Sequence, residues 1–308
     1  MSAVVRPEAR ALFASGLRPD DRVLVTGSAG WFGLTLAALL HGLPNPVMFL
    51  TRSPRRVSYR DGELDAVAWD EAGVREFAPT IVIDCAFILR DYIDAMPIET
   101  YFYQNTILTS RLLQLTQSDS VKTVISVSSG AAVHPVDAST RDADTNPYGY
   151  IKRQTELAVA RLGEETDTRV VVARPWSLSG TLVTRPERYA FSDLILRSRA
   201  ESIEIKATHE VWRRYAGVDD FFAVALATGA ASSAVINSGG SLVEFGELAE
   251  LIASTLNSTA RITRPVLESG PADDYYTRDD SWEDACAAHG FTPATIVEQI
   301  LAVDAALS

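Results

Sequence analysis

Along the first fifty residues, hydrophobic positions fall into three blocks separated by polar or glycine-containing turns. Val23-Leu24-Val25 is a short run of aliphatic, largely β-branched residues that stops at Thr26-Gly27. Leu34 to Leu40 is apolar almost throughout, and Val47 to Leu50 is a second short apolar run. This order predicts strand, buried helix and strand, a β-α-β unit. Ahead of it, residues 7–17 (PEARALFASGL) read as a short helix with one apolar side. The alternation continues downstream. Thr80 to Asp84 reads as a buried strand and Glu99 to Gln117 as a helix with Ile107, Leu108, Leu112 and Leu115 near one side. Val121 to Val127 reads as a strand, Tyr148 to Leu162 as a helix and Arg169 to Ala173 as a strand. Strands alternating with helices predict an α/β fold with a parallel sheet covered on both faces.

After Arg174-Pro175 the pattern loosens. Residues 176–215 read as loops and charges, followed by a helix from Val218 to Ala227 and a strand from Ser233 to Asn237. Helices are predicted again at Phe245 to Thr255 and Pro293 to Leu307.

Composition narrows the function classes. The 308 residues are 47% hydrophobic and 22% charged, as in an ordinary globular protein. The formal net charge of −12 argues against a general nucleic-acid binder, which needs clustered Lys and Arg. Cys85 and Cys286 stand far apart with no C-x-x-C spacing, so neither a disulfide framework nor a metal site is implied. The opening stretch lacks the apolar core of a secretory signal, and no apolar run approaches a membrane span. A cytoplasmic protein without a membrane partner is therefore the expectation.

Candidate chemistry begins at the turn after the first strand, Thr26-Gly27-Ser28-Ala29-Gly30-Trp31-Phe32-Gly33. Glycine gives such a turn its φ > 0 conformation and lets backbone N–H groups approach a pyrophosphate at a helix N-terminus. A second signal is Tyr148-x-x-x-Lys152, whose members share one helix face, so that the lysine can lower the phenol pKa and ready it for proton transfer. Tyr150 competes with Tyr148 but lacks the four-residue spacing. About twenty residues earlier, a predicted strand ends in Ser128-Ser129-Gly130. Neither a G-x-S-x-G elbow nor a G-x-x-x-x-G-K-[ST] loop occurs, which argues against hydrolase and NTPase chemistry.

Together, T-G-x-x-G-x-x-G, the serine segment and Y-x-x-x-K resemble the extended short-chain dehydrogenases/reductases, and within them the NAD-dependent epimerase/dehydratase family. The resemblance runs from about Val23 to about Leu301. It implies a Rossmann-type doubly wound parallel sheet with a smaller α/β C-terminal substrate domain. The boundaries expected are 1–174 for the dinucleotide-binding domain, to which about 216–238 returns, and 175–308 for a mainly substrate-binding domain. By the same resemblance Ser129 (Ser128 as the alternative) would hold the reacting oxygen. Tyr148 would be the acid/base, and Lys152 would hold both the tyrosine and the nicotinamide ribose. Gly27, Ser28, Ala29, Gly30, Trp31, Phe32 and Gly33 would cradle the cofactor. Asp70, Ala86 and Asn105 correspond to positions near the adenine, beneath the cofactor and beside the active site. Glu156 fits the family's pattern in a structural capacity.

At the end of the second strand, where a carboxylate would suit NAD, the chain reads Thr51-Arg52-Ser53-Pro54-Arg55-Arg56. Arg52, supported by Ser53 or Arg55, therefore points to NADP, with NAD as the alternative. Arg213 matches the arginine that binds substrate pyrophosphate in nucleotide-sugar members, whereas Ser177 replaces an asparagine and no second arginine precedes Asp273. Dehydratases carry an Asp-Glu pair where this chain has Gly130 and Ala131. The expected activity is reduction of a 4-keto nucleotide sugar, with a 4-epimerase second and a non-catalytic dinucleotide sensor as the reading from another class. The helices at 99–117 and 148–162 correspond to those that pair in family homodimers.

Overall fold

In the computed structural model, which describes residues 4–59, 62–135 and 142–308, the chain enters through α1 (Pro7–Ser15). It then forms β1 (Val23–Thr26), α2 (Trp31–Leu40), β2 (Val47–Thr51), β3 (Arg55–Tyr59), β4 (Gly62–Ala68), α3 (Glu71–Phe77) and β5 (Ile81–Asp84). Next come α4 (Ile98–Thr116), β6 (Thr123–Val127), α5 (Pro147–Thr166) and β7 (Arg169–Arg174). β1, β5, β6 and β7 are aliphatic runs with almost no solvent access, because helices cover the sheet on both faces. α2 is apolar all round for the same reason: it is wedged between the sheet, α1 and the helix at 218–231, and its Phe32 ring meets Phe222 edge-on at 5.6 Å.

The C-terminal third adds β8 (Ser177–Ser179), α6 (Ala190–Arg197), β9 (Ser202–Glu204), β10 (Val211–Gly217), α7 (Val218–Ala231) and β11 (Ala234–Asn237). It finishes with β12 (Ser241–Glu244), α8 (Phe245–Thr255), β13 (Arg261–Thr263), β14 (Asp273–Tyr275), α9 (Ser281–Ala288) and α10 (Ile296–Leu307). The large sheet has the order β11-β7-β6-β5-β1-β2-β4-β3, parallel except for β3, which runs antiparallel at the edge. This is a doubly wound sheet of the Rossmann type. Its strand order reverses between β1 and β5, so a crevice opens beyond the carboxyl ends of those two strands. β10 gathers β8, β12 and β14 into a second, smaller sheet. A separate core from α6, α8, α10 and β10, including Phe191, Ile195, Leu248, Ile252 and Ile300, packs against it.

One expectation needs correction, and two elements were not foreseen. Residues 176–215 hold β8, α6, β9 and β10 rather than loops alone. β10 escapes a hydrophobicity reading because Arg213 and Arg214 sit in its middle, and its burial is decided by neighbours distant in sequence. The charged hairpin β3–β4 was also not expected. Its edge strand carries Arg55 and Arg56 outward, as charged edges commonly do. Finally, α9 belongs beside the large sheet, where Trp282 is buried next to Phe221 at 6.2 Å. Among the described residues no helix is long and apolar enough to cross a membrane.

Candidate active site at the strand-order reversal

The glycine-rich turn lies at the mouth of the crevice, and its three glycines serve three purposes. Gly27 adopts φ +64°, and a Cβ there would lie 2.7 Å from the Cys85 carbonyl, so the turn packs directly on the end of β5. Gly33 presses α2 onto the turn, since a Cβ would come within 2.4 Å of the Ser28 backbone. Gly30 is different. It is exposed, and a Cβ would touch only the Gly27 oxygen at 3.5 Å, so its open side faces the crevice. Gly30 is also the N-cap of α2 and brings no side-chain acceptor, which leaves the first-turn N–H groups for an anion. The neighbouring Trp31 turns its indole N–H toward Gly180, where it is buried and has no hydrogen-bond partner among the described residues. An open backbone cradle and an uncapped helix start fit a dinucleotide phosphate.

Several of the other expected cofactor residues also hold the fold together. Ser28 is fully buried, and both its hydroxyl and its N–H donate to the Leu50 carbonyl, at 2.9 and 3.1 Å. Its side chain ties the turn to β2. Ala29 is half-buried, and Phe32 packs on Trp31 and Phe222. The Asp70 carboxylate caps α3 through Ala72 N and Gly73 N. Asn105 is fully buried: it accepts from Ile88 N at 2.9 Å and donates to the Ile88 and Tyr101 carbonyls, pinning the segment after β5 to α4. Ala86 belongs to that segment, held by its N–H to Thr26 Oγ1 at 3.0 Å. Arg52 and Ser53 are exposed just beyond β2. Arg56, by contrast, is paired with Asp65 and Glu63 on β4.

The hydroxyl groups converge on the far side of the crevice. Asn146 accepts from Gly149 N at 3.0 Å and donates to the Ala131 carbonyl at 3.2 Å, so the first turn of α5 is fastened to the short turn after β6. Gly149 is obligatory there, because a Cβ would lie 2.1 Å from the Ala131 oxygen. This brings Tyr148 beside Ser129. Burial pushes the Tyr148 phenol up to about 12, against a lowering hydrogen bond with Ser129. Tyr150 instead faces Phe102 on α4. Ser128 donates at 2.6 Å to Glu156, which also receives Arg174 at 2.7 Å and Arg153 at 2.9 Å. Ser128 is therefore part of a buried ionic network, and Ser129 is the serine that meets the Tyr148 and Tyr275 hydroxyls.

Lys152 is 6% exposed, donates to the Val127 carbonyl at 2.8 Å and lies 3.8 Å from the centroid of the Phe87 ring. Burial lowers its pKa to about 8, partly offset by Asp84, Cys85 and Glu156. Burial likewise raises Asp84 to about 6, opposed by a 2.5 Å bond from Thr26 and by Lys152. The expected lowering of the Tyr148 phenol by Lys152 is not found. The ammonium turns to Val127 and Phe87, and the desolvation of the phenol dominates.

Several residues at this site had escaped notice in the sequence. Tyr275 of β14 brings its hydroxyl to 3.4 Å from Ser129 Oγ. Its ring joins His134 and Trp176, with centroids 5.1 to 5.7 Å apart. A Cβ on Gly130 would strike the Trp176 ring at 2.4 Å, so no acidic side chain fits there. Phe87 directly follows Asp84-Cys85-Ala86 and could have been suspected by adjacency; Tyr275 offers no local signal. Arg213, on β10, is not free. It bonds the Asp273 carboxylate at 2.9 and 3.2 Å as well as the Asp273 and Trp212 carbonyls.

Residues 23–243 match the NAD dependent epimerase/dehydratase family. The chain belongs to that family. Solved structures of similar fold agree with this placement. A UDP-N-acetylglucosamine 4-epimerase from Methanobrevibacter ruminantium M1, in complex with UDP-N-acetylmuramic acid, superposes with TM-score 0.73 at 20% identity, covering 94% of this chain and 98% of that one. MoeE5 in complex with UDP-glucuronic acid and NAD gives 0.70 at 22% identity, covering 93% and 98%. The UDP-glucose 4-epimerase from Brucella ovis in complex with NAD gives 0.69 at 20% identity, covering 91% and 96%. No curated protein sequence matches. Family membership thus accounts for the glycine turn and for the doubly wound sheet.

Proposed function

We propose that this member of the family is a nicotinamide-dinucleotide-dependent oxidoreductase that reduces the keto carbon of a nucleotide-linked sugar. The observation that carries this reading is the gathering of the Tyr148, Ser129 and Tyr275 hydroxyls near the crevice that the glycine turn opens. The phenol carries a proton at neutral pH, as an ordinary tyrosine does, and can give it to an oxygen that gains electrons. The nicotinamide, when bound, supplies the hydride. The Ser129 hydroxyl would hold the substrate oxygen, and Tyr148 would protonate it. Lys152 would position the ribose. NADP is the cofactor form that the exposed Arg52 and Ser53 favour, because no carboxylate stands at the end of β2 to meet a ribose hydroxyl. Exposed Tyr103 on α4 and Leu157 on α5 support a homodimer through these helices.

A 4-epimerase is the second reading, favoured by the activities named for the similar structures and by the NAD in some of them. It differs in requiring the phenol to take a proton first. Dehydration is disfavoured by Gly130 and Ala131. Oxidation of NADPH or NADH with keto-sugar nucleotides, beside interconversion of UDP-glucose and UDP-galactose, separates the readings. Tyr148→Phe is expected to cut turnover by about 10²-fold or more with cofactor affinity nearly intact. Tight dinucleotide binding without turnover of either panel would instead indicate the non-catalytic sensor.

A further inference from the structure

We propose that the Phe87 side chain is a gate on Lys152, which must turn aside before the cofactor ribose can reach the ammonium group. The inference rests on the preceding reading, in which Lys152 serves that ribose. The Phe87 ring centroid is 3.8 Å from Lys152 Nζ, and the ring meets Tyr148 almost perpendicularly, at 87° and 5.5 Å. Another face of the ammonium is taken by the Val127 carbonyl at 2.8 Å. With Lys152 only 6% exposed, an incoming hydroxyl has no open approach to it.

The backbone on both sides of Phe87 is held. Cys85 N and Ala86 N donate to Thr26 Oγ1 at 3.1 and 3.0 Å, and Ile88 N donates to Asn105 at 2.9 Å. The gate is therefore a rotation of one side chain and not a loop movement. Its physical basis is the cost of burying a cation. Without a ligand, the π face of the ring supplies the negative potential that ribose oxygens would otherwise give. Ring and ribose thus compete for one ammonium, and the ring lowers cofactor affinity by the strength of its own contact.

The test is equilibrium and stopped-flow binding of NADPH and NADH, read by nucleotide fluorescence, to the wild type, Phe87→Ala and Phe87→Leu. A desolvated cation–π contact corresponds to about 5- to 30-fold in affinity. Phe87→Ala is expected to bind tighter by that factor and to associate faster. Phe87→Leu, which keeps bulk but has no π face, should fall between. Binding by Phe87→Ala where the wild type binds nothing would support the gate equally. Unchanged or weaker binding by both variants, each with a wild-type melting transition, overturns the gate and leaves the functional reading standing. Absence of dinucleotide binding in all three proteins overturns both.

Discussion

If Arg213 binds a substrate diphosphate, as the nucleotide-sugar reading expects, Asp273 competes for its guanidinium, and removing that carboxylate gives a graded test of the reading. In Asp273→Asn the charge is lost, but Arg213 keeps its bonds to the Trp212 carbonyl at 2.8 Å and the residue-273 carbonyl at 2.7 Å, so it should stay in place on β10. The Asp273 side chain is 59% exposed, against 16% for Arg213. Solvent screening of the carboxylate limits such a pair to about 0.2–1 kcal/mol. A phosphate that must displace the carboxylate is then bound about 1.5- to 5-fold more weakly than Arg213 alone would allow. Isothermal titration of UDP into the wild type and Asp273→Asn, at one fixed salt concentration, should show that gain. Arg213→Ala should lose about 10-fold or more, as expected for a charge-assisted contact. Unchanged or weaker UDP binding by Asp273→Asn, or wild-type binding by Arg213→Ala, would refute the assignment of Arg213 to a phosphate.

Three further outcomes follow from the site. Glu156 is 3% exposed and faces Arg174 and Arg153, so Glu156→Gln should destabilise by about 3–5 kcal/mol in urea unfolding, and a loss below about 1 kcal/mol would contradict the network. Burial pushes the Glu156 carboxyl up, but Arg174, Ser128 and Arg153 outweigh it and hold the group low. Its contribution is therefore present above the unfolded value near 4.5 and fades as pH falls through the folded value, where variant and wild type should converge. Lys152→Met should stabilise the cofactor-free protein at neutral pH by at most about 3 kcal/mol, because a pKa lowered from 10.5 to about 8 means that the fold penalises the ammonium. The advantage of Lys152→Met over the wild type should accordingly shrink as pH climbs from about 8 to 10.5, and a constant difference over that window would oppose the assignment. Arg52→Ala should weaken NADPH about 10-fold or more and leave NADH nearly unchanged; equal effects on both would remove Arg52 from cofactor selection.

Legibility in the sequence followed the range of the interactions involved. The strand–turn–helix around Gly27 was readable because its hydrophobic blocks and glycines are contiguous. The same glycines could not be ranked by reading, since Gly27 answers to Cys85, Gly33 to Ser28 and Gly30 to open space. Asn105 and Asp70 are expected near the cofactor by position, whereas their bonds to Ile88 and to the start of α3 are visible only in three dimensions. β10 was missed because Arg213 and Arg214 mask its strand character.

The amino-acid pattern alone determined the alternating elements, the parallel sheet, the crevice-side turn and the pairing of Tyr148 with Lys152 on one helix face, since each depends on neighbours within a few residues. Tertiary structure decided the electrostatics. Whether a phenol is tuned down or held neutral depends on how much water packing excludes and where the nearest cation points. The cation points to Phe87 and the Val127 carbonyl, and Ser129 and Tyr275 stand near the phenol, none of which a local spacing connects to Tyr148.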